Sequence, residues 1–168
     1  MEIAGFLHDL GKLAVPNEIL EKKDVLTAEE FNVIRKHTYY IHAILSRLRG
    51  LEHIAVLAAH HHEKLDGSGY PFHVKDGNFS KLSRIMAVAD VLTALTEDRP
   101  YRAGMDRTQT ERVLNEMVNK NSLDGDIVAL TNKNFPHLND IRIEAQNEAL
   151  HEYKDFHTSI GIQIDIAS

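Results

Sequence analysis

Two short runs of the sequence carry residues suited to metal chemistry. His8 and Asp9 stand side by side near the end of a helical run that begins around Ile3. Adjacent helical side chains diverge by about 100 degrees, yet an imidazole and a carboxylate can still reach an ion lying between their directions. The pair alone fits an ordinary helix end equally well, with a His near the negative terminus and an Asp in a turn. His61 and His62 add more. Helical spacing after Leu51, Ile54, Ala55 and Ala58 puts His61 about 60 degrees to one side of Ala58 and His62 about 40 degrees to the other. Both point with the apolar face, whereas His60 falls nearly opposite and is expected to face solvent. Two adjacent inward imidazoles both need buried partners, and a shared metal serves both.

His37 borders an apolar stripe, three residues after Ile34 and four before Ile41. Asp90 is the only charged residue between Ile85 and Leu95. A carboxylate inside such a run is costly unless it is paired or metal-bound, so it needs either the imidazoles or an arginine, Arg84 or Arg99. The chain has 11 His and no Cys, so any metal must be held by imidazole and carboxylate. Its net charge of −6 gives no general attraction for duplex nucleic acid.

The elements that must position these groups are helical. Thr27 and Glu30 form a capping-box pattern ahead of Phe31, Ile34, Ile41, Leu45 and Leu48, which predicts a helix of about five turns ending before Gly50. Leu82, Ile85, Met86, Ala89 and Leu92 form another periodic run. Thr108 and Glu111 suggest a second capping box before Val113, Leu114, Met117 and Val118. Between them, Lys64 to Ser80 reads as a long ordered loop rich in turn residues, and loops of that length in compact domains usually bind something. Leu138 to Phe156 reads as a polar helix. Beyond it Ile160, Ile162, Ile164 and Ile166 alternate as in a short strand, which is expected to pair with a second chain or to be disordered in isolation.

HDLGK (His8 to Lys12), HHEKLDGSGYP (His61 to Pro71) and RIMAVADVLTALTEDRPYR (Arg84 to Arg102) together resemble the HD-GYP branch of the HD phosphohydrolase superfamily. The likeness runs from about Ile3 to Leu130. It implies an all-α, HD-type helical bundle that hydrolyses cyclic di-GMP to linear pGpG, GMP or both. It also implies two or three divalent ions, iron or manganese being usual and zinc chemically compatible. The family's metal positions fall on His8, Asp9, His37, His61, His62 and Asp90, with Asp9 as the bridging carboxylate. Lys12 is expected to protonate the departing ribose oxygen or to steady the attacking hydroxide. Arg99 and Arg102 would grip phosphates, and Asp66 and Tyr70 lie in the loop that borders the substrate. Glu63 is expected to orient an imidazole.

The resemblance has one departure. Such folds contribute a further His, and sometimes a Glu, from a helix upstream of the HD pair, and only seven residues precede His8. The expected organisation is a core over residues 1–135 lacking its first helices, then an extension over 136–168. A truncated relative that binds cyclic di-GMP or protein without turnover is the alternative. A cytoplasmic location is expected, since no apolar run reaches the roughly 20 residues that span a bilayer. Diguanylate cyclase domains, an upstream sensory or receiver domain and a second copy of the chain are the expected partners.

Overall fold

The computed structural model of the chain describes residues 1–75, 78–98 and 102–161. It is all-helical, with no strand among the described residues. The expected strand positions Ile162, Ile164 and Ile166 lie outside them; Ile160 closes the last helix, and Gly161 follows at φ +73°. The chain divides into two compact units, Met1–Ala129 and Leu130–Ser168.

In the first unit, α1 (Glu2–Leu7) leads into a 3₁₀ turn (Leu10–Ala14), α2 (Asn17–Leu20) and the long α3 (Ala28–Leu45). Thr27 caps α3 as expected: its hydroxyl accepts from Glu30 N–H, and the Glu30 carboxylate accepts from Thr27 N–H. The buried face of α3 is His37, Thr38, Ile41 and Leu45, while the expected stripe members Phe31 and Leu48 are exposed. The stripe narrows because burial is confined to the C-terminal half of α3, whose main packing partners are α4 (Glu52–Ala59) and the 3₁₀ turn.

Ala4 of α1, Ile41 and Leu45 of α3, the small face of α4 and Met86 of α5 (Lys81–Thr96) form one apolar core. Ile41 is fully enclosed, a burial that stabilises the fold by about 1.5–3 kcal/mol. Alanines 55, 58 and 59 on α4 are small enough to let its backbone lie close to its neighbours. Ala87 and Val88 turn from the other side of α5 into a second core with Phe79, Leu114 of α6 (Arg107–Asn119), and Leu123. Helix α5 is therefore shared by two cores, and Leu82 and Ala89 of its predicted stripe are exposed instead. The second capping box is real but sits two residues earlier, at Asp106 and Gln109. Asp106 and Gln109 fit the box as well as Thr108 and Glu111 do, and periodicity could not choose between them.

Helix α7 (Gly125–Lys133) runs across the unit boundary, and the second unit contains α8 (Phe135–Ser159). Pro136 sits in the first turn of α8, where its missing N–H costs nothing.

Candidate metal centre

His8 caps the C-terminal end of α1, and Asp9 opens the 3₁₀ turn. Residues three apart eclipse in a 3₁₀ turn, which brings Lys12 back over Asp9: Nζ donates to Oδ2 at 2.6 Å. Gly11 makes the placement feasible. A Cβ there would lie 2.0 Å from the His37 carbonyl oxygen, so only glycine lets the HD turn rest on the backbone of α3.

Three imidazoles share one local device. His8, His37 and His61 each place Nδ1 2.6 Å from the carbonyl oxygen three residues earlier, on Gly5, Ile34 and Ala58. A carbonyl only accepts, so each Nδ1 carries a proton and each Nε2 is the ring nitrogen turned into the cluster. Those nitrogens converge. His37 Nε2 lies 3.3 Å from His61 Nε2 and 3.4 Å from Asp9 Oδ1, and His8 Nε2 lies 3.4 Å from Asp9 Oδ2. Asp90 joins from α5, with Oδ1 3.8 Å from His8 Nε2 and Oδ2 3.5 Å from His62 Nδ1. The His61 and His62 ring centroids are 4.0 Å apart, and His8 stands edge-on to His61 at 4.8 Å. All six sequence-derived metal candidates thus meet in one cluster built from four separated segments.

Burial pushes the His61 imidazole down to about 2, with repulsion from His62 adding, and pushes His62 down to about 3, with repulsion from His37 adding. Burial lowers His37 as well. For Asp9, burial acts to raise the pKa, but the Lys12 hydrogen bond and the charges of His8, Lys12 and His37 outweigh it and hold the carboxyl below its ordinary value. The cluster therefore sets imidazoles that burial keeps neutral, at His37, His61 and His62, against carboxylates. The 3.3 Å approach of two unprotonated Nε2 atoms is repulsive unless a cation lies against them, and an outward Nδ1–H held by a carbonyl is how metal-bound imidazoles are oriented. The donor set fits divalent first-row ions.

Two expectations about the neighbouring residues are corrected. His60 is buried, because the chain tightens from α4 into a 3₁₀ turn over His60–His62 and Phe72 and Phe79 cover the ring. Glu63 orients the loop, not an imidazole: its buried carboxylate accepts from Phe72 N–H at 2.6 Å and Val74 N–H at 3.0 Å. Asp66 is exposed and accepts from Ser68 N–H within the loop. Tyr70 lies against His62 with ring centroids 4.9 Å apart. Gly69 allows that loop to close, since a Cβ there would meet the Glu63 backbone at 2.4 Å.

Arg84 is spoken for by Asp124, at 3.2 Å, so of the two arginines considered for Asp90 it is not the partner. Arg99 lies outside the described residues. Arg102 donates from Nη2 to the Ala94 carbonyl at 2.7 Å, near the end of α5. A cleft of about 440 Å³ beside Lys12 is lined also by Lys22, Lys23 and Asp24, with Lys12 paired to Asp9 and Lys22 to Glu30. Sequence reasoning missed Arg35, whose guanidinium lies over the rings of both Phe31 and Tyr70. The Phe31 contact was legible as one helical turn; the Tyr70 contact depends on the loop.

Residues 1–127 match the HD domain family. The chain belongs to the HD domain family. It is 42% identical over 115 residues to a cyclic di-GMP phosphodiesterase of Pseudomonas aeruginosa, covering 68% of this chain and 28% of that protein. A 3′3′-cGAMP-specific phosphodiesterase of Vibrio cholerae is 44% identical over 102 residues, 61% of this chain and 22% of its own length. A cyclic di-GMP phosphodiesterase of Thermotoga maritima is 41% identical over 104 residues, 61% of this chain and 28% of its own length. The HD chain thus spans about a quarter of these relatives. Among its described residues, no helix is long and apolar enough to cross a membrane.

Proposed function

We propose that this HD chain is the catalytic core of a metal-dependent phosphodiesterase that hydrolyses cyclic di-GMP to linear pGpG, GMP or both. The observation that carries the reading is the convergence of His8, Asp9, His37, His61, His62 and Asp90 with their donor atoms turned inward. The names of the relatives support the substrate class. Two or three ions, iron or manganese, are the proposed complement. Divalent ions held by these residues would supply Lewis acidity at the phosphate and a more acidic attacking water.

The chain's own residues account for the rest. Asp9 directs one oxygen toward His37 and the other toward His8 and Lys12, the disposition of a carboxylate shared between two positions. Hydrolysis forms a bond from water oxygen to phosphorus, with the water giving up a proton to solvent, and breaks the bond to the ribose oxygen, which must then receive a proton. Lys12 Nζ, anchored on Asp9, is the group proposed to deliver it. Tyr70 borders the substrate beside His62, with Asp66 in the same loop, and Arg99 and Arg102 are the proposed phosphate contacts. A cytoplasmic location and partnership with a diguanylate cyclase or a sensory or receiver domain complete the proposal.

The test is elemental analysis of protein purified without added metal, paired with a cyclic di-GMP turnover assay. Bound ions and turnover are expected, and Asp9→Ala should lose both together. Full activity in that variant refutes the assignment, and tight ligand binding without ions or turnover replaces the enzyme with a binding module.

A further inference from the structure

We infer that Arg35 selects guanine in the bound dinucleotide, an assignment that rests on the cyclic dinucleotide reading above. The Arg35 Cζ atom lies 4.6 Å from the Phe31 ring centroid and 5.1 Å from that of Tyr70. Tyr70 in turn lies 4.9 Å from the His62 ring, tilted by 40°. Phe31, Arg35, Tyr70 and His62 therefore form a continuous run of flat groups leading outward from the donor cluster. Arg35 is exposed, and its hydrogen bond from Nη1 to Asn32 Oδ1 is long, at 3.4 Å. Ring contacts on the guanidinium carbon use no N–H group, which leaves its donors for a ligand.

The position favours a base over the scissile phosphate. A phosphate undergoing hydrolysis must sit on the donor cluster, and Arg35 stands one aromatic ring beyond His62. What extends from such a phosphate across Tyr70 is a nucleoside, and bases stack on aromatic side chains and on arginine planes. A guanidinium fork matches the two acceptors O6 and N7 of guanine. Adenine offers N7 but turns its N6 donor toward a residue that can only donate. Arg35 thus rewards guanine and opposes adenine at the same edge. Two positions along α3 from Arg35, His37 enters the donor cluster, so one helix carries both a metal ligand and the base-reading residue.

The experiment measures binding of hydrolysis-resistant phosphorothioate analogues of cyclic di-GMP and cyclic di-AMP to the full metal-loaded chain, with metal content determined in parallel. Wild type is expected to prefer the guanine analogue. Arg35→Met should reduce that preference by ~10-fold or more, mainly by weakening guanine binding, with bound metal retained. Arg35→Lys keeps the charge without the fork and should fail to restore the preference. Equal weakening of both analogues would identify a phosphate contact and overturn the assignment, as would an unchanged ratio. Loss of metal in Arg35→Met would also overturn it, by making Arg35 a support of the centre. Wild type that binds neither analogue sinks the cyclic dinucleotide reading itself, and the inference with it; that failure is seen before any variant is compared.

Discussion

Stripping the ions should make this protein sensitive to mild acid, and the size of the effect follows from the cluster. The ordinary imidazole pKa of 6.5 falls to about 2 at His61 and about 3 at His62 in the folded chain. Between roughly pH 6.5 and pH 3 the unfolded chain therefore binds protons that the folded chain refuses, so stability rises with pH and is lost as pH falls. At pH 5 both folded values lie well below the solution pH, which leaves the penalty set by the unfolded value alone. Each histidine then costs about 2 kcal/mol, from ~1.5 pH units at ~1.36 kcal/mol each. The pair costs about 4 kcal/mol relative to pH 7.5, a large part of the stability of an ordinary domain. His37 and His60 shift in the same direction and add to it. The assay is urea unfolding of the chelated protein at pH 7.5 and pH 5, with His61→Gln as the comparison that should flatten the slope. Equal stability at the two pH values, or greater stability at pH 5, would show that these imidazoles are not buried neutral and would remove the argument for inward lone pairs.

Glu63→Gln keeps one acceptor but turns an amide donor toward a backbone N–H, so unfolding measurements should show a loss of about 2–4 kcal/mol; a change under about 0.5 kcal/mol refutes the anchoring role. Gly11→Ala drives a methyl group into the His37 carbonyl oxygen and should cost on the order of 3 kcal/mol together with bound metal, read by thermal unfolding and elemental analysis. Wild-type values would mean the HD turn does not pack on α3. Thr27→Ala removes one half of the capping box and should cost about 1 kcal/mol in urea unfolding while metal content stays unchanged, separating helix stability from the centre.

Much of the centre was legible because its signals are local. The adjacency of His61 and His62 to the apolar run ending at Ala58 marked them as inward candidates, and the lack of other charges around Asp90 marked it as needing a partner. Local signals failed where a long-range contact decides. His60 was expected to face water because the sequence does not announce the switch from α to 3₁₀ geometry after Ala59, and because Phe72 and Phe79 reach it from the loop. Glu63 sits next to the paired imidazoles in sequence, yet its carboxylate is taken by backbone amides nine and eleven residues later. Phe31 and Leu48 fit the helical period but flank the buried stretch from His37 to Leu45, and both are exposed.

By itself, then, the amino-acid order determined the helices, the Thr27 cap and the chemical types that could hold a metal, since these depend on residues within a turn or two of one another. Only the tertiary structure decided that Asp9, His37, His61 and Asp90 share one site, that Asp90 meets imidazoles while Arg84 turns to Asp124, and that Arg35 stacks on Tyr70. The physical reason is that such meetings depend on how helices pack: the close approach at Gly11, the small face of α4 and the loop pinned by Glu63 fix distances that no local spacing encodes.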